Sequence, residues 1–156
     1  MKKPFRFFKW KAFKDLSIFD LYEIMSFRQN IFSVEQETWY KDADGLDLNS
    51  LHLLGKNEDK SLIAYLRLVE PKLNFIEPSL GRVSVEEKFR GNGLGRKLIK
   101  EGIRKSLIIY PNLGLRISAQ LYLEKFYNQV LSPSSFLESF KKRTNNEILA
   151  CNDVES

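Results

Sequence analysis

The chain has 156 residues, of which 43% are hydrophobic, and a formal net charge of +5. This length and composition predict one domain, residues 1–156, with its own apolar core. A single cysteine, Cys151, excludes a disulfide framework within the chain and favours a reducing compartment. The absence of an apolar run of about 18 residues predicts no membrane span, and the scattered basic residues argue against nucleic-acid binding. We therefore expect a cytoplasmic protein without membrane or nucleic-acid partners.

The N-terminal segment predicts a strand followed by a helix. Residues 5–13 alternate aromatic and basic side chains, a period typical of a strand. Ser17 and Asp20 have the spacing of a helix capping box, so a helix should follow and end near Val34-Glu35-Gln36. We expect one apolar stripe of this helix to be buried. Its members are Ile18, Leu21, Tyr22, Met25 and Phe32, widened by Ile24, Phe27 and Ile31.

A polar, acidic segment comes next, at residues 37–50. Its aspartates Asp42, Asp44 and Asp47 have a spacing that faintly resembles a calcium loop. The glycine placement and the terminal glutamate of such a loop are missing, so we expect no metal site here. The interpretation is a solvated loop near the substrate, because loops on a rigid scaffold often hold binding residues.

The rest of the chain predicts a mixed α/β sheet. Apolar runs at residues 51–55 and 62–69 predict two hairpin strands, joined by turn residues at 57–60. Strands on both sides of a crossover helix favour a mixed sheet flanked by helices. The later predicted elements are a strand at 80–85, a helix at 96–110, a strand at 113–118 and a short helix at 120–129.

A glycine-rich segment joins the strand at 80–85 to the following helix. It reads Arg90-Gly91-Asn92-Gly93-Leu94-Gly95. Such a turn lets the backbone approach a ligand, and the free N–H groups of the helix's first turn then form an anion site, most often for phosphate. A Walker A loop is excluded because no Gly-Lys-Ser/Thr follows, and a Rossmann loop fails at its last glycine. The segment matches a third pattern in full, Arg/Gln-x-x-Gly-x-Gly/Ala.

That third pattern resembles the pyrophosphate loop of the GNAT superfamily of acetyl-CoA-dependent N-acetyltransferases. The order of predicted elements over residues 5–129 is also similar to that family. Further matches resemble its ElaA-type branch. They are Arg28, Ile31-Phe32, Val34-Glu35-Gln36, Tyr40, Asp42, Asp44, His52-Leu53, Ala64-Tyr65, Arg67, Gly81-Arg82-Val83, Ala119-Gln120 and Phe126-Tyr127.

The resemblance implies the GNAT fold and direct transfer of an acetyl group from acetyl-CoA to a primary amine, without a metal. It assigns the cofactor's pyrophosphate to the backbone of residues 90–95, and Arg96 could add charge. The pantetheine arm should pair with the backbone of Val83, Ser84 and Val85 as an added strand.

The resemblance also assigns the proton transfers. It implies that Tyr127 protonates the departing sulfur; the alternative is an aromatic side chain packed beside Phe126. Glu35, His52 and water are the open candidates for accepting the amine's proton. His52 is the only histidine, and imidazole titrates near neutral pH, although a histidine satisfied by its neighbours fits equally. A glutamate serves as base near neutral pH when burial raises its pKa.

The chain departs from the family after Gln129. By resemblance Gly-Phe-x-Pro-Val should follow Tyr127, but Val130 begins a different segment, and no glycine occurs after Gly114. A one-base deletion would produce this change, so residues 130–156 are expected to be out of frame or otherwise diverged. The sheet would then lack its closing strands, and its open edge could pair two copies as a homodimer. The alternative function is therefore a non-catalytic acetyl-CoA-binding domain. The amine is not identified by the sequence.

Overall fold

A computed structural model describes residues 5–35, 41–118 and 148–151. Within these ranges six strands form one sheet, in the same order as in the chain. The first four strands are antiparallel to one another in succession, whereas the fifth runs parallel to the fourth and the sixth parallel to the fifth. The sheet is therefore mixed, as predicted. The strands are β1 (Phe5–Ala12), β2 (Ser50–Asn57), β3 (Leu62–Val69), β4 (Ser79–Val85), β5 (Leu115–Ser118) and β6 (Ile148–Cys151).

Two α-helices accompany the described sheet, α1 at Ile18–Arg28 and α2 at Leu94–Ile109. The capping box predicted for α1 is confirmed: the Ser17 hydroxyl accepts the Asp20 N–H at 2.9 Å, and the Asp20 carboxylate accepts the Ser17 N–H at 3.2 Å. The chain continues from α1 as a π-helical segment, Gln29–Glu35, in place of the longer α-helix that we predicted. None of the helices in the described ranges is both long and apolar enough to cross a bilayer.

Helix α2 packs closely on one face of β3 and β4. Its buried side carries Leu98, Ile99 and Ile103, as the apolar spacing predicts. Gly102 lies on the same side, and a Cβ there would stand 3.0 Å from side-chain atoms of Leu66 and Leu80. The absence of a side chain at this position lets the helix approach the sheet, which fixes where α2 begins relative to β4.

The buried side of α1 differs from the predicted stripe. Ile24 and Arg28 are fully buried, and Ile24 packs with Tyr65 on the sheet face. Ile18 and Tyr22, which were expected to be buried, are 78% and 79% exposed. The reason is that α1 contacts the sheet along a narrow line of side chains. Ile24 and Arg28, one helical turn apart, lie on this line, whereas the predicted apolar stripe is broader. The predicted helix at 120–129 lies outside the described residues, as do residues 130–147 and 152–156 of the divergent segment. The described part of that segment forms β6, which pairs with β5, so the expectation of an open edge on β5 is corrected.

Candidate active site

Strand β4 has an edge that is open to a ligand. Among the described residues, only Ser79 and Leu80 pair with β5. On its other edge β4 stays paired with β3 as far as Val85. On the β5 side, residues 81–85 therefore pair with no strand of the described part of the chain, although the Val85 carbonyl accepts a side-chain hydrogen bond from Arg90. An extended ligand can pair with such an edge as an added strand.

A bulge interrupts β4 at the beginning of this open edge. Two residues of β4, Arg82 and Val83, fall opposite the single residue Leu66 of β3. Arg82 has a φ of 52°, in the left-handed region that residues with a Cβ seldom adopt. A bulge re-aims the backbone that follows it, and bulges are over-represented next to active sites. The family resemblance assigns the pantetheine arm to Val83 within the bulge and to Ser84 and Val85 directly after it.

The glycine-rich segment forms the connection from β4 to α2. Gly91 and Gly93 have φ values of 85° and 78°, and a side chain at either would meet nothing within 4 Å. Gly93 is the N-cap of α2 and supplies no side-chain cap. The first helical bond runs from the Lys97 N–H to the Gly93 carbonyl at 3.1 Å, so the N–H groups of residues 94–96 have no partner within the helix. They form a set of donors at the end of the open strand.

The first turn of α2 is basic. Arg96 and Lys97 are exposed there, and the turn holds no acidic residue. Acidic side chains normally favour this end of a helix, because the helix dipole is positive there. Free donors, a positive dipole and two cations together favour an anion of high charge, such as a pyrophosphate.

Arg90 connects the glycine-rich segment to the end of the π-helical segment. Its Nε donates to the Val85 carbonyl oxygen at 2.8 Å, and its Nη1 is ion-paired with Glu35. Both side chains are partly exposed, so the pair contributes about 1 kcal/mol or less to stability. Glu35, predicted as a candidate base, thus lies beside the cofactor segment with its carboxylate bound by an arginine.

His52 is buried, and both of its ring nitrogens are occupied. Nε2 lies 3.0 Å from the Asp47 carbonyl oxygen, which can only accept, so Nε2 carries the proton. Nδ1 then accepts from the Tyr65 hydroxyl at 2.7 Å. Burial, together with the charges of Arg28 and Arg67, lowers the pKa of His52 despite the opposing effect of Asp47. The role of His52 as a base stays a prediction, but this geometry leaves no free lone pair for an amine.

The acidic segment is not simply a solvated loop, which is a correction to the sequence prediction. Asp47 is 7% exposed, and the carboxylates of the segment bind arginines from α1, β3 and β4. We call this group the ionic cluster. Its members are Arg28, Asp42, Asp44, Asp47, Arg67 and Arg82.

The centre of the ionic cluster is Asp47. Its Oδ1 accepts from Arg28 Nη1 at 2.6 Å and from Arg67 Nη1 at 3.0 Å. Arg67 also binds both carboxylate oxygens of Asp44, and Arg28 donates to the Asp42 carbonyl oxygen at 2.9 Å. Burial alone would raise the pKa of Asp47, but the two guanidinium groups outweigh it and hold the pKa below its usual value. The cluster is therefore charged and internally paired.

Sequence reasoning missed this cluster, although one signal was present. Arg28 follows Ile24 by one helical turn and precedes Phe32 by another, so it lies on the buried side of the helix. A buried arginine needs an acidic partner, because an unpaired charge is costly to remove from water. The nearby aspartates were the available partners.

A groove of about 1010 Å³ runs between α1 and the turn that follows β4. The apolar part of its lining includes Phe19 and Tyr22, which are exposed on α1. The charged part of the lining is mainly acidic: it has one lysine, Lys88, and four glutamates, Glu23, Glu35, Glu86 and Glu87. Tyr127, the predicted acid, lies outside the described residues.

Comparison with known proteins identifies the family. Residues 23–130 match the family described as acetyltransferase (GNAT) domain. A UPF0039 protein of Synechocystis is 48% identical over 118 residues, which cover 76% of this chain and 77% of that protein. The chain belongs to the GNAT acetyltransferase family. The match ends at residue 130, the position after which the chain is expected to diverge.

Two solved structures support the same assignment. The crystal structure of Escherichia coli ElaA has a TM-score of 0.74 and 30% identity, and the match covers 81% of this chain and 85% of that one. An acyl-CoA N-acyltransferase from Pseudomonas aeruginosa has a TM-score of 0.72 and 31% identity, covering 78% and 84% of the two chains. The predicted fold and the similarity to ElaA are confirmed.

Proposed function

We propose that this protein transfers an acetyl group from acetyl-CoA to a primary amine. One arrangement carries the proposal: the open edge of β4 is joined, through a 3-10 turn and the glycine-rich segment, to the uncapped, basic start of α2. A ligand with an extended amide-containing arm and a pyrophosphate matches both parts at once. Acetyl-CoA has these two features in that order, and membership of the acetyltransferase family supports it.

The reaction needs no covalent intermediate on the protein. The neutral amine nitrogen attacks the thioester carbonyl carbon and forms the new C–N bond, and the C–S bond then breaks. The thiolate of CoA takes a proton that we assign to the hydroxyl of Tyr127, and the nitrogen loses one proton to become an amide. Water returns a proton to the Tyr127 oxygen and so completes the cycle. The products are the acetylated amine and free CoA.

We assign the proton lost by the amine to water. His52 has both ring nitrogens bonded inside the protein, and Glu35 is bound by Arg90. The groove beside α1 supports an amine as the acceptor, because its excess of carboxylates attracts a cation before the amine is deprotonated.

A turnover screen on the full chain tests the proposed function. Acetyl-CoA is incubated with a panel of primary amines, and free CoA and acetylated amine are measured together by mass spectrometry. Matched tertiary amines, which cannot form a stable amide, serve as controls for hydrolysis. We expect equal amounts of both products with some of the primary amines and none with the tertiary ones. Acetyl-CoA binding without amine-dependent turnover would instead identify a non-catalytic binding domain.

A further inference from the structure

The bulge of β4 contains a backbone conformation that needs support. Arg82 holds a φ of 52° within a strand, where a residue with a Cβ is strained. Such a conformation persists only where the surrounding contacts over-determine it. It occurs where β4 leaves its pairing with β5, so it sets the direction of the open edge.

The side chain of Arg82 supplies contacts of this kind. Its Nε donates to Asp42 Oδ1 at 2.9 Å, and its Nη2 donates to Asp44 Oδ2 at 3.3 Å and to the Asp42 carbonyl oxygen at 3.4 Å. The Arg82 side chain is 8% exposed, and its charge-assisted bonds to Asp42 are partly buried, whereas its bond to Asp44 is exposed. They restrict the guanidinium and, through it, the backbone of the bulge.

The aspartates are fixed in turn by rigid elements. Arg28 of α1 donates from Nη2 to the Asp42 carbonyl oxygen at 2.9 Å, and its Nε is ion-paired with Asp42 Oδ2 at 3.0 Å without hydrogen-bond geometry. Arg67 of β3 donates to Asp44 from two nitrogens. Arg28 and Arg67 are 0% and 4% exposed. The acidic segment therefore forms a bridge between the buried face of the sheet and the bulge.

We propose that Asp42 and Asp44 are positioning residues for acetyl transfer, which hold the β4 bulge through Arg82 so that the open edge presents the thioester to the amine. The inference rests on the proposed function. It gives the acidic segment a role that is separate from phosphate binding and from proton transfer. A misplacement of the reacting carbon by about 1 Å can reduce turnover about 100-fold.

Two substitutions of Arg82 separate positioning from general stability. Both Arg82→Ala and Arg82→Gly remove the guanidinium, but glycine adopts a positive φ without steric strain. We expect Arg82→Ala to lower kcat for acetyl transfer by about 10- to 100-fold with a smaller change in the KM for acetyl-CoA. Arg82→Gly should retain clearly more of the wild-type kcat. Equal kcat values for the two folded variants would overturn the proposal.

Variants that combine an aspartate substitution with Arg82→Gly test whether the two aspartates act through Arg82. Asp42→Asn and Asp44→Asn should each lower kcat in the wild-type background and have little further effect when combined with Arg82→Gly. Glu101→Gln is the matched control, because it neutralises a carboxylate paired with Arg104 on α2, away from the bulge. Full additivity of Asp42→Asn with Arg82→Gly would contradict action through Arg82.

An NMR measurement on the ligand-free protein distinguishes failure of this inference from failure of the proposed function. The Cα and Cβ chemical shifts of residue 82 report its backbone conformation. We expect left-handed values in the wild type, a change toward extended values in Asp42→Asn with Asp44→Asn, and no change in Glu101→Gln. Unchanged shifts in the folded double variant would overturn the inference even for an active acetyltransferase. Altered shifts in a protein that binds no acetyl-CoA would refute the proposed function, and the positioning role with it.

Discussion

The Nε2–H of His52 donates to the carbonyl oxygen of Asp47 at 3.0 Å and so joins β2 to the acidic segment. Because the other ring nitrogen accepts from Tyr65, the bond fixes one neutral form of the imidazole. Protonation of Nδ1 would make it a donor, reverse the role of the Tyr65 hydroxyl, and add a positive charge beside Arg28 and Arg67. The pairing of His52 therefore connects the stability of this face of the sheet to pH.

The free energy of unfolding should fall as the pH is lowered from about 7 through 6.5. The folded-state pKa of His52 is lower than its ordinary value of 6.5, mainly because of burial. Between those two values the unfolded chain binds more protons than the folded protein, so stability rises with pH in that window and is lost below it. One group limits the slope to about 1.4 kcal/mol per pH unit. Urea unfolding at several pH values measures it.

His52→Gln provides the control for this pH dependence. The chain has one histidine, so the variant should lose most of the slope between pH 5 and 7. A second decline should remain below about pH 4 in both proteins, because the pKa values of Asp44 and Asp47 are lowered from 3.8 by their arginine partners, against the effect of burial. An unchanged slope in His52→Gln would show that another group is responsible.

Gly93→Asp should weaken acetyl-CoA binding strongly. The position faces open space at the N-terminus of α2, so the new carboxylate would stand where we place the pyrophosphate. Gly93→Asn is the matched control, since it has nearly the same shape and tolerates a positive φ but carries no charge. Calorimetry with acetyl-CoA should give a much larger loss for Asp than for Asn. Equal affinity for Gly93→Asp and the wild type would refute the assignment of the segment.

Tyr127→Phe should reduce turnover with little effect on acetyl-CoA affinity. The change removes only the hydroxyl that we assign as the proton donor to sulfur. General acid catalysis is typically worth about 10²- to 10⁴-fold, and we expect a loss of kcat in that range. Calorimetry confirms that the variant still binds the cofactor. Phe126→Leu is a control for the effect of packing. An unchanged kcat in Tyr127→Phe would contradict the assignment and indicate that Tyr127 only packs.

Glu35→Gln should change kcat less than about tenfold, because its carboxylate binds Arg90 and we assign the amine's proton to water. The main effect should be on the KM for acetyl-CoA, since Arg90 belongs to the cofactor segment and also holds the Val85 carbonyl. The measurement is the pH profile of kcat for both proteins. Loss of the acidic limb of that profile in Glu35→Gln would instead identify Glu35 as the base.

Restoring the family's reading frame after Gln129 should stabilise the protein. We predict that the gene regenerates Gly-Phe-x-Pro-Val by one inserted base near the codon for Val130, the residue at which the family match ends. The restored chain should have a higher thermal midpoint than the present one, because the family's closing strands would extend the pairing beyond β5, which among the described residues is covered only by the four-residue β6. A gene in which no single-base change yields Gly-Phe would rule out the deletion.

Local patterns predicted much of the fold. The capping box at Ser17, the strand at 62–69 and the glycine-rich turn before α2 each depend on residues close in sequence, so their physics is visible in the sequence alone. The ionic cluster depends on pairs 14 to 40 residues apart, from Arg28 with Asp42 to Arg82 with Asp42. Charge spacing along a chain does not reveal which charges meet across a sheet.

The positive φ of Arg82 was beyond prediction for a related reason. A glycine precedes it, and a sequence argument would place any left-handed residue at Gly81. The register of β3 against β4 determines which residue has the positive φ, because it places Arg82 and Val83 opposite the single residue Leu66. Register depends on long-range packing, which one sequence does not display.

The short pairing between β4 and β5 gives the described sheet unequal mechanical strength. β1, β2 and β3 are joined by long antiparallel ladders, whereas Ser79 and Leu80 alone join β4 to β5. A force that pulls the strands apart should break the pairing between β4 and β5 before any other. A cofactor bound between these two strands would contact both and so hold the two parts of the sheet together. We therefore expect the rupture force of a single molecule to rise in saturating acetyl-CoA, without any change in the ladders on either side.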